Sequence, residues 1–321
     1  MPAAPDGFVG LDLSGQTLRA MHSPPDGKLR FGERVLPPGM LRDATVVDKG
    51  GMGAEIRALA EELGFGGGTA GVAIGDRTVT VRLLDPAPGR AHAGVVEAVG
   101  HDLPLRPDTT IVHSADLPGG AKGERRVFAV ITDRTVLAGF TDAVAAAGLK
   151  CAGVFLRSQC AAKVLGAADG ILVGWDASEF EVVFLEGGVP RLSHAVPAGS
   201  PEGPGAEGVA VLSLAMAFHS RTLGPLPAPK MLDIGPEAIP QLALAGADLP
   251  WAAQNEHPAG ATAVTEAESW RRYLGAHGAG LLAASGTGRD GSAGYPVFNL
   301  AAPAGQSGAR GKSLAQRLRG R

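Results

Sequence analysis

Long apolar runs are missing from this chain. The longest, such as Val209 to Phe218, fall far short of the roughly 20 residues that a membrane-spanning helix needs. The opening residues, Met1-Pro2-Ala3-Ala4-Pro5-Asp6, offer neither a basic region nor an apolar stretch, so no signal peptide is expected. Cysteine is scarce. Cys151 and Cys160 are the only two in 321 residues, which fits a reducing cytosol, and both are expected to be buried, free and inert. A net charge of −3 is too small to point to nucleic acid. The eight histidines show no ligand spacing with cysteines or acids, and His219 sits on an apolar helix pattern as a core residue would. No Ser-His-Asp or Cys-His arrangement is legible from spacing. Two glycine-rich stretches also lack the chemistry they imitate. Gly305 to Ser313 ends like a phosphate-binding loop, but Gln306 stands where the first glycine is needed. Gly64 to Gly71 follows a helix pattern and precedes a strand pattern, the reverse of a dinucleotide fingerprint.

The chain does have one short unit twice. Val9-Gly10-Leu11-Asp12-Leu13-Ser14 and Val173-Gly174-Trp175-Asp176-Ala177-Ser178 both read Val-Gly-x-Asp-x-Ser, about half a chain apart. Each is followed by a polar turn, a strand-like run, a second turn and a third strand. The duplication implies two related lobes facing each other. A buried strand ending in Asp before a tight turn gathers backbone N–H groups and a carboxylate at one point. That chemistry suits a phosphate and its metal, and equally a carboxylate that caps its own turn. At 321 residues, 45% hydrophobic and 19% charged, the chain is long enough for two cores. Its 48 glycines and 24 prolines promise long loops.

Periodicity predicts three strands over residues 8–35, a helix over 53–63 stopped by Gly64, strands over 69–74 and 79–84, and a helix over 91–99. Strands follow over 109–113 and 126–132, then a helix over 135–147 capped by Gly148, a strand over 149–155 and a connecting helix over 156–165. In the second half, strands are expected over 170–176, 180–185 and 189–195. Residues 197–208 read as a flexible Gly/Pro segment, 209–223 as a helix and 230–234 as a strand. Residues 236–244, 266–274 and 276–284 read as helices, 285–296 as a loop and 297–300 as a last short strand.

The two Asp loops, with Leu36-Pro37-Pro38-Gly39-Met40 leading into Asp43-Ala44-Thr45-Val46-Val47-Asp48, the strand at Val72-Ala73-Ile74 and the run Arg126 to Thr132 before a helix, resemble the PilM family of type IV pilus assembly proteins. That family is related to the cell-division protein FtsA. The resemblance runs from about Phe8 to Leu300. It implies an α/β, actin-like (actin/Hsp70/sugar-kinase, ASKHA) two-lobe fold with a duplicated βββαβα core and a small subdomain inserted in lobe I. Lobe I would span 1–165, with its insert at about 76–150. A trimmed lobe II would span 166–303, followed by a basic, flexible tail over 304–321. The family's nucleotide loops fall on Asp12, Ser14, Gly15, Gln16 and Thr17, on Asp176 and Ser178, and, for adenosine, on Gly235. Both loops have Asp-x-Ser where the family has Asp-x-Gly. Glu179 and Glu181 would oppose phosphate if they point inward, and Pro236 replaces the second glycine of the adenosine turn. The site is therefore degenerate: it holds either no cofactor or ATP with magnesium.

The resemblance implies a cytoplasmic scaffold at the inner face of the cell membrane, without catalytic turnover. It would bind the N-terminal peptide of a PilN-type inner-membrane protein in a groove between the first lobe's core and the insert. It would also contact other pilus platform or motor proteins, and homo-oligomers stay open. Alternatives are an ATP-binding actin-like ATPase and an FtsA-like filament protein tethered to the membrane through Leu314 and Leu318 of the basic tail. Finally, Val297-Phe298-Asn299-Leu300-Ala301-Ala302-Pro303 resembles the Ile-Asn-Leu-Leu-Pro segment with which PilN-type partners begin. It reads either as the last strand of lobe II or as a segment that can occupy a partner groove.

Overall fold

The computed structural model describes residues 8–24, 28–42, 44–84, 92–103, 105–106, 108–117, 126–166, 169–175, 179–186, 188–197, 205–222, 231–233, 270–284 and 299–301. The chain has the actin-like two-lobe fold, with a small sheet inserted in lobe I. The first lobe is a five-stranded sheet in the order β10-β6-β1-β2-β3. Strands β1 (Phe8–Asp12), β2 (Thr17–Ser23) and β3 (Arg30–Val35) form an antiparallel meander. Strands β6 (Thr69–Ile74) and β10 (Lys150–Leu156) add to it in parallel. The second lobe repeats the plan as β13-β12-β11-β14. There the meander β11 (Gly170–Trp175), β12 (Glu179–Glu186) and β13 (Val189–Pro197) is joined by a parallel β14 (Met231–Asp233). The small hairpin β4 (Leu41–Arg42) and β5 (Thr45–Val46) leads into α1 (Lys49–Glu62).

Alternation along the strands assigns the faces. In β1, Val9 and Leu11 point to a core shared with Met52, Ile56 and Leu59 of α1 and with Phe140 and Val144 of α3 (Arg134–Ala146). Gly10 and Asp12 point the other way. So do Gly71 and Ala73 of β6, whose Ala70, Val72 and Ile74 lie in the α1/α3 core. The second face receives α4 (Arg157–Leu165) and α6 (Leu274–Ala284), which pack on each other and join the lobes. Cys160 of α4 and Ala279 and Leu282 of α6 share a cluster with Ala73 and Phe155 of the first sheet. Ala161, Ala162 and Val164 of α4 and Leu274 of α6 share another with Leu172, Val183 and Leu185 of the second. The far face of the second sheet is covered by α5 (Gly205–Thr222) through Val211, Leu212 and Ala215.

The contact of α6 with the first sheet is backbone to backbone. A Cβ on Gly10 would lie 1.7 Å from the Ala276 carbonyl oxygen, and one on Gly71 would lie 2.1 Å from that of Ala279. The insert is a three-stranded antiparallel sheet, β7 (Thr80–Leu84), β9 (Arg126–Asp133) and β8 (Thr110–Leu117), in the order β7-β9-β8. It is covered by α2 (His92–Asp102) through Val95 and Val99.

Several elements differ from the sequence expectation. Helix α1 begins four residues early, because the Asp48 side chain accepts from the Gly51 N–H and caps a first turn that includes Gly50 and Gly51. Residues 205–208, expected to be loop, are helical. The two expected helices 266–274 and 276–284 are not separated at Gly275. A 3-10 turn, Trp270–Tyr273, runs directly into α6. Asn299 and Leu300 form no strand in lobe II; they lie on lobe I. The expected helix 236–244 lies outside the described residues.

Candidate functional site

Three parallel strands of lobe I end together. Asp12 closes β1, Asp76 follows β6, and Arg157 follows β10 as the first residue of α4. The carboxyl ends of parallel strands are where open α/β sheets place their ligands. Asp12 is fully buried. Its Oδ1 accepts the Ser14 N–H at 2.9 Å, so this carboxylate caps its own turn. Its Oδ2 faces the guanidinium of Arg157, with Nε at 3.6 Å, and has no hydrogen-bond donor among the described residues. The start of α6 presses on the same oxygen: a Cβ on Gly275 would lie 2.1 Å from it.

Arg157 also reaches the second lobe, with its Nη1 3.4 Å from Oε2 of Glu181. Alternation in β12 explains this. Phe180, Val182 and Phe184 pack toward α5, so Glu181 faces α4 with Val183 and Leu185, and is buried there. Of the two glutamates flagged in the second loop, Glu181 does point inward. The side chain of Glu179 lies outside the described residues.

Asp76 is buried beside this pair. It accepts from the Ser158 N–H at 3.1 Å and from the Ser158 hydroxyl, and so caps α4, whose own N-cap, Leu156, supplies no side-chain acceptor. Burial pushes its carboxyl up to about 6, against the opposing pull of the Ser158 hydrogen bonds and the Arg157 charge. Burial, then the charges of Asp12 and Asp76, hold the Cys160 thiol well above its usual range, which keeps it inert. Cys160 is buried and free; Cys151 is free but only half-buried. Among the described residues, no group of His, Cys, Asp and Glu is placed to hold a metal ion.

The folded protein therefore keeps a proton on Asp76 up to about pH 6, whereas the unfolded chain releases it near 3.8. Stability from this group is greatest at low pH and falls as pH rises through that window. His277 on α6 acts in the opposite sense. Burial lowers it to about 4, so its contribution is lost as pH falls from 6.5 toward 4. The two slopes oppose each other in the native protein. Asp76→Asn is expected to leave the rising His277 slope alone. Urea midpoints should then show a variant-minus-native difference that grows from pH 4.5 to 6.5. A difference independent of pH would contradict this assignment.

Among the residues expected to bind nucleotide, Ser14 abuts Gly75, where a Cβ would lie 3.3 Å from the Ser14 oxygen. The Gln16 carbonyl is taken by the Leu36 N–H, and Thr17 opens β2 opposite Val35. Gly15 lies in the same turn. Asp176, Ser178 and Gly235 lie outside the described residues. The two turns differ in length. Six residues separate the paired Asp12 and Arg19, and four separate the paired Trp175 and Phe180. Arg157, Asp76 and Ser158 were not anticipated. The signal for Arg157 was a charged residue at the junction between an apolar strand and an Ala-rich helix.

A second site lies at the outer edge of β10. Val154 N–H donates to Oδ1 of Asn299 at 3.1 Å, Nδ2 of Asn299 donates to the Ala152 carbonyl at 3.0 Å, and Leu300 N–H donates to the Val154 carbonyl at 2.8 Å. Nε2 of His113, on the edge strand β8 of the insert, lies 3.3 Å from the Leu300 carbonyl oxygen. Leu300 is fully buried in the core cluster that includes Ile111 and Phe128 of the insert. The edge of one sheet and a face of the other thus meet over one Asn-Leu pair.

No protein-family model matches the chain, and no curated protein does. Solved structures do. A chain of the "PilM-PilN type IV pilus biogenesis complex" is 17% identical, with a TM-score of 0.69 over 88% of this chain and 99% of that one. The cytoplasmic domain of EpsL, an inner membrane component of the type II secretion system of Vibrio cholerae, is 15% identical, with a TM-score of 0.47 over 77% and 87%. The ethanolamine utilization protein EutJ from Carboxydothermus hydrogenoformans is 16% identical, with a TM-score of 0.45 over 88% and 91%.

Proposed function

We propose that this protein is a PilM-like scaffold of a type IV pilus assembly platform at the cytoplasmic face of the inner membrane. It holds the N-terminal segment of a PilN-type membrane partner in the cleft between β10 and β8. The observation that carries this reading is the cleft itself. The edge of β10 and a face of the insert converge on it. An Asn-Leu pair binds there through three bonds to the β10 main chain, two made by the Asn299 side-chain amide and one by the Leu300 N–H, and through one buried leucine, a contact akin to strand addition with a side-chain pocket. The fold it shares with a chain of a PilM-PilN complex supports the reading.

The strand-end site favours a structural role over nucleotide chemistry. Asp12 is committed to its own turn through Oδ1 and to a resident cation through Oδ2. A magnesium ion or a phosphate brought there would compete with Arg157 for Asp12 and Glu181, or be repelled by one of these charges. The described residues of the strand-end site do not fit a metal–phosphate group, and no catalytic step is assigned. Calorimetry with ATP and magnesium is expected to show no binding.

The test of function is fluorescence anisotropy with a labelled PilN-type peptide that begins Ile-Asn-Leu-Leu-Pro. Saturable binding that is lost when the peptide's Asn becomes Ala is the expected result. A peptide indifferent to that change, or tight ATP binding with no peptide binding, would overturn the reading.

A further inference from the structure

We propose that Asn299–Leu300 is an internal ligand of the β10–β8 cleft, held in cis and exchanged for the partner's segment when the scaffold assembles. The inference rests on reading this cleft as the partner site, and it concerns how that site is regulated.

The outer edge of β10 presents Ala152 C=O, Val154 N–H and Val154 C=O, and all three are satisfied by two residues from the far end of the chain. An edge strand left uncovered is a template for any extended segment, so covering it in cis also guards against unspecific pairing. The choice of Asn is chemical. Its amide reproduces a peptide group, with Oδ1 accepting where a carbonyl would and Nδ2 donating where an N–H would. Aspartate has no donor for Ala152, and an aliphatic side chain has neither function. The cleft is shaped for that amide. A Cβ on Gly153 would stand 2.7 Å from Nδ2 of Asn299, so glycine at 153 makes room for it. Oδ1 also accepts the Ala301 N–H at 3.1 Å, which turns the backbone away after Leu300, and Ala301 is exposed. Among the described residues the anchor is thus the half-buried Asn299 and the buried Leu300.

A two-residue anchor is a modest contact, but it is tethered. Fourteen residues, 285–298, separate the end of α6 from Asn299. Attachment in cis gives the anchor an effective concentration that a free peptide has to overcome, on the order of millimolar for linked sites. A partner peptide using the same Asn-Leu pair would have to displace this occupant. Its apparent affinity for the native chain would then be at least about tenfold weaker than for a chain whose cleft is vacant.

The experiment uses the full-length chain and a full-length variant carrying Asn299→Ala with Leu300→Ala. The probe is a labelled peptide of the chain's own residues 297–303, followed by anisotropy. Binding at least about tenfold tighter to the variant than to the native chain is expected. Equal affinity, or no binding to a variant that circular dichroism shows to be folded, overturns the proposal. If the variant does not fold, a chain ending at Phe298 is melted with and without excess peptide. A rise in Tm on adding the peptide supports an exchangeable ligand, and an unchanged melt overturns it. Running the Ile-Asn-Leu-Leu-Pro peptide in parallel separates the two readings. If the chain's own peptide binds the vacated cleft and the PilN-type peptide does not, the partner assignment fails and the internal ligand stands. A PilN-type peptide that binds both proteins equally leaves the partner assignment and removes the internal ligand.

Discussion

Gly10→Ala is expected to destabilise the protein by about 3 kcal/mol or more, the upper end of overpacking costs. The added methyl would sit 1.7 Å from the Ala276 carbonyl oxygen and within 2.8 Å of the Gly280 nitrogen, and backbone atoms of a packed helix have no rotamer to yield. Helix α6 would have to lift off the sheet. Lifting it would open the contacts at Gly71 and at Gly278, where a Cβ would lie 2.2 Å from the Cys160 carbonyl oxygen. Because α6 packs against both lobes, the damage would reach the lobe junction as well as the first core. Gly66→Ala is the control. Nothing lies within 4 Å of a Cβ there, so its effect should stay within about 0.5 kcal/mol. Urea unfolding midpoints of the two variants check the contrast. A Gly10→Ala midpoint matching that of Gly66→Ala would contradict the backbone contact.

Removing the cation from the strand-end site is the second large effect. Arg157→Met is expected to cost about 3–5 kcal/mol at neutral pH, because the buried Asp12 and Glu181 would both lose the cation that they share. Much of that cost is desolvated negative charge. Arg157 also holds the Asp76 carboxyl down against burial, so without it Asp76 keeps its proton to higher pH, and the variant should be closer to native stability at pH 5 than at pH 7.5. A second change, Glu181→Gln in the Arg157→Met background, should recover part of the loss at pH 7.5 by deleting one charge. Chemical denaturation at both pH values checks the pattern. A pH-independent loss would point to lost packing of the Arg157 stem rather than unpaired charge.

The sequence made the sheets legible because each strand states its own pattern. The Val-Gly-x-Asp-x-Ser repeat marked β1 and β11, and turns at regular spacing marked the meanders. Asp12 was legible as a site residue for the same local reason. Its partners were not. Arg157 and Asp76 come from separate strand ends, and nothing near either residue records that the parallel register brings them together. Glu181 was half legible: its charge stood out in a strand, and only the strand's pairing settled which face it took. The two loops looked equivalent as strings, but the register leaves the second hairpin two residues shorter between paired ends. Glycine misled where it serves close packing. Gly275 looked like a break between two helices, and instead lies within the first turn of α6, where it admits the Asp12 carboxylate. Asn299–Leu300 was legible as an extended recognition pair, but its docking on lobe I depends on a contact about 145 positions away in the chain.

On the proposed reading, this actin-like chain works through the cleft between β10 and β8 and not through the strand-end site. Hydrogen–deuterium exchange on the Asn299→Ala, Leu300→Ala variant, with and without the PilN-type peptide, tests it most directly. The account predicts new protection over residues 150–156 and 110–117, with the turn from Asp12 to Thr17 unchanged. Protection confined to the Asp12–Thr17 turn, or none at either strand at saturating peptide, would contradict it.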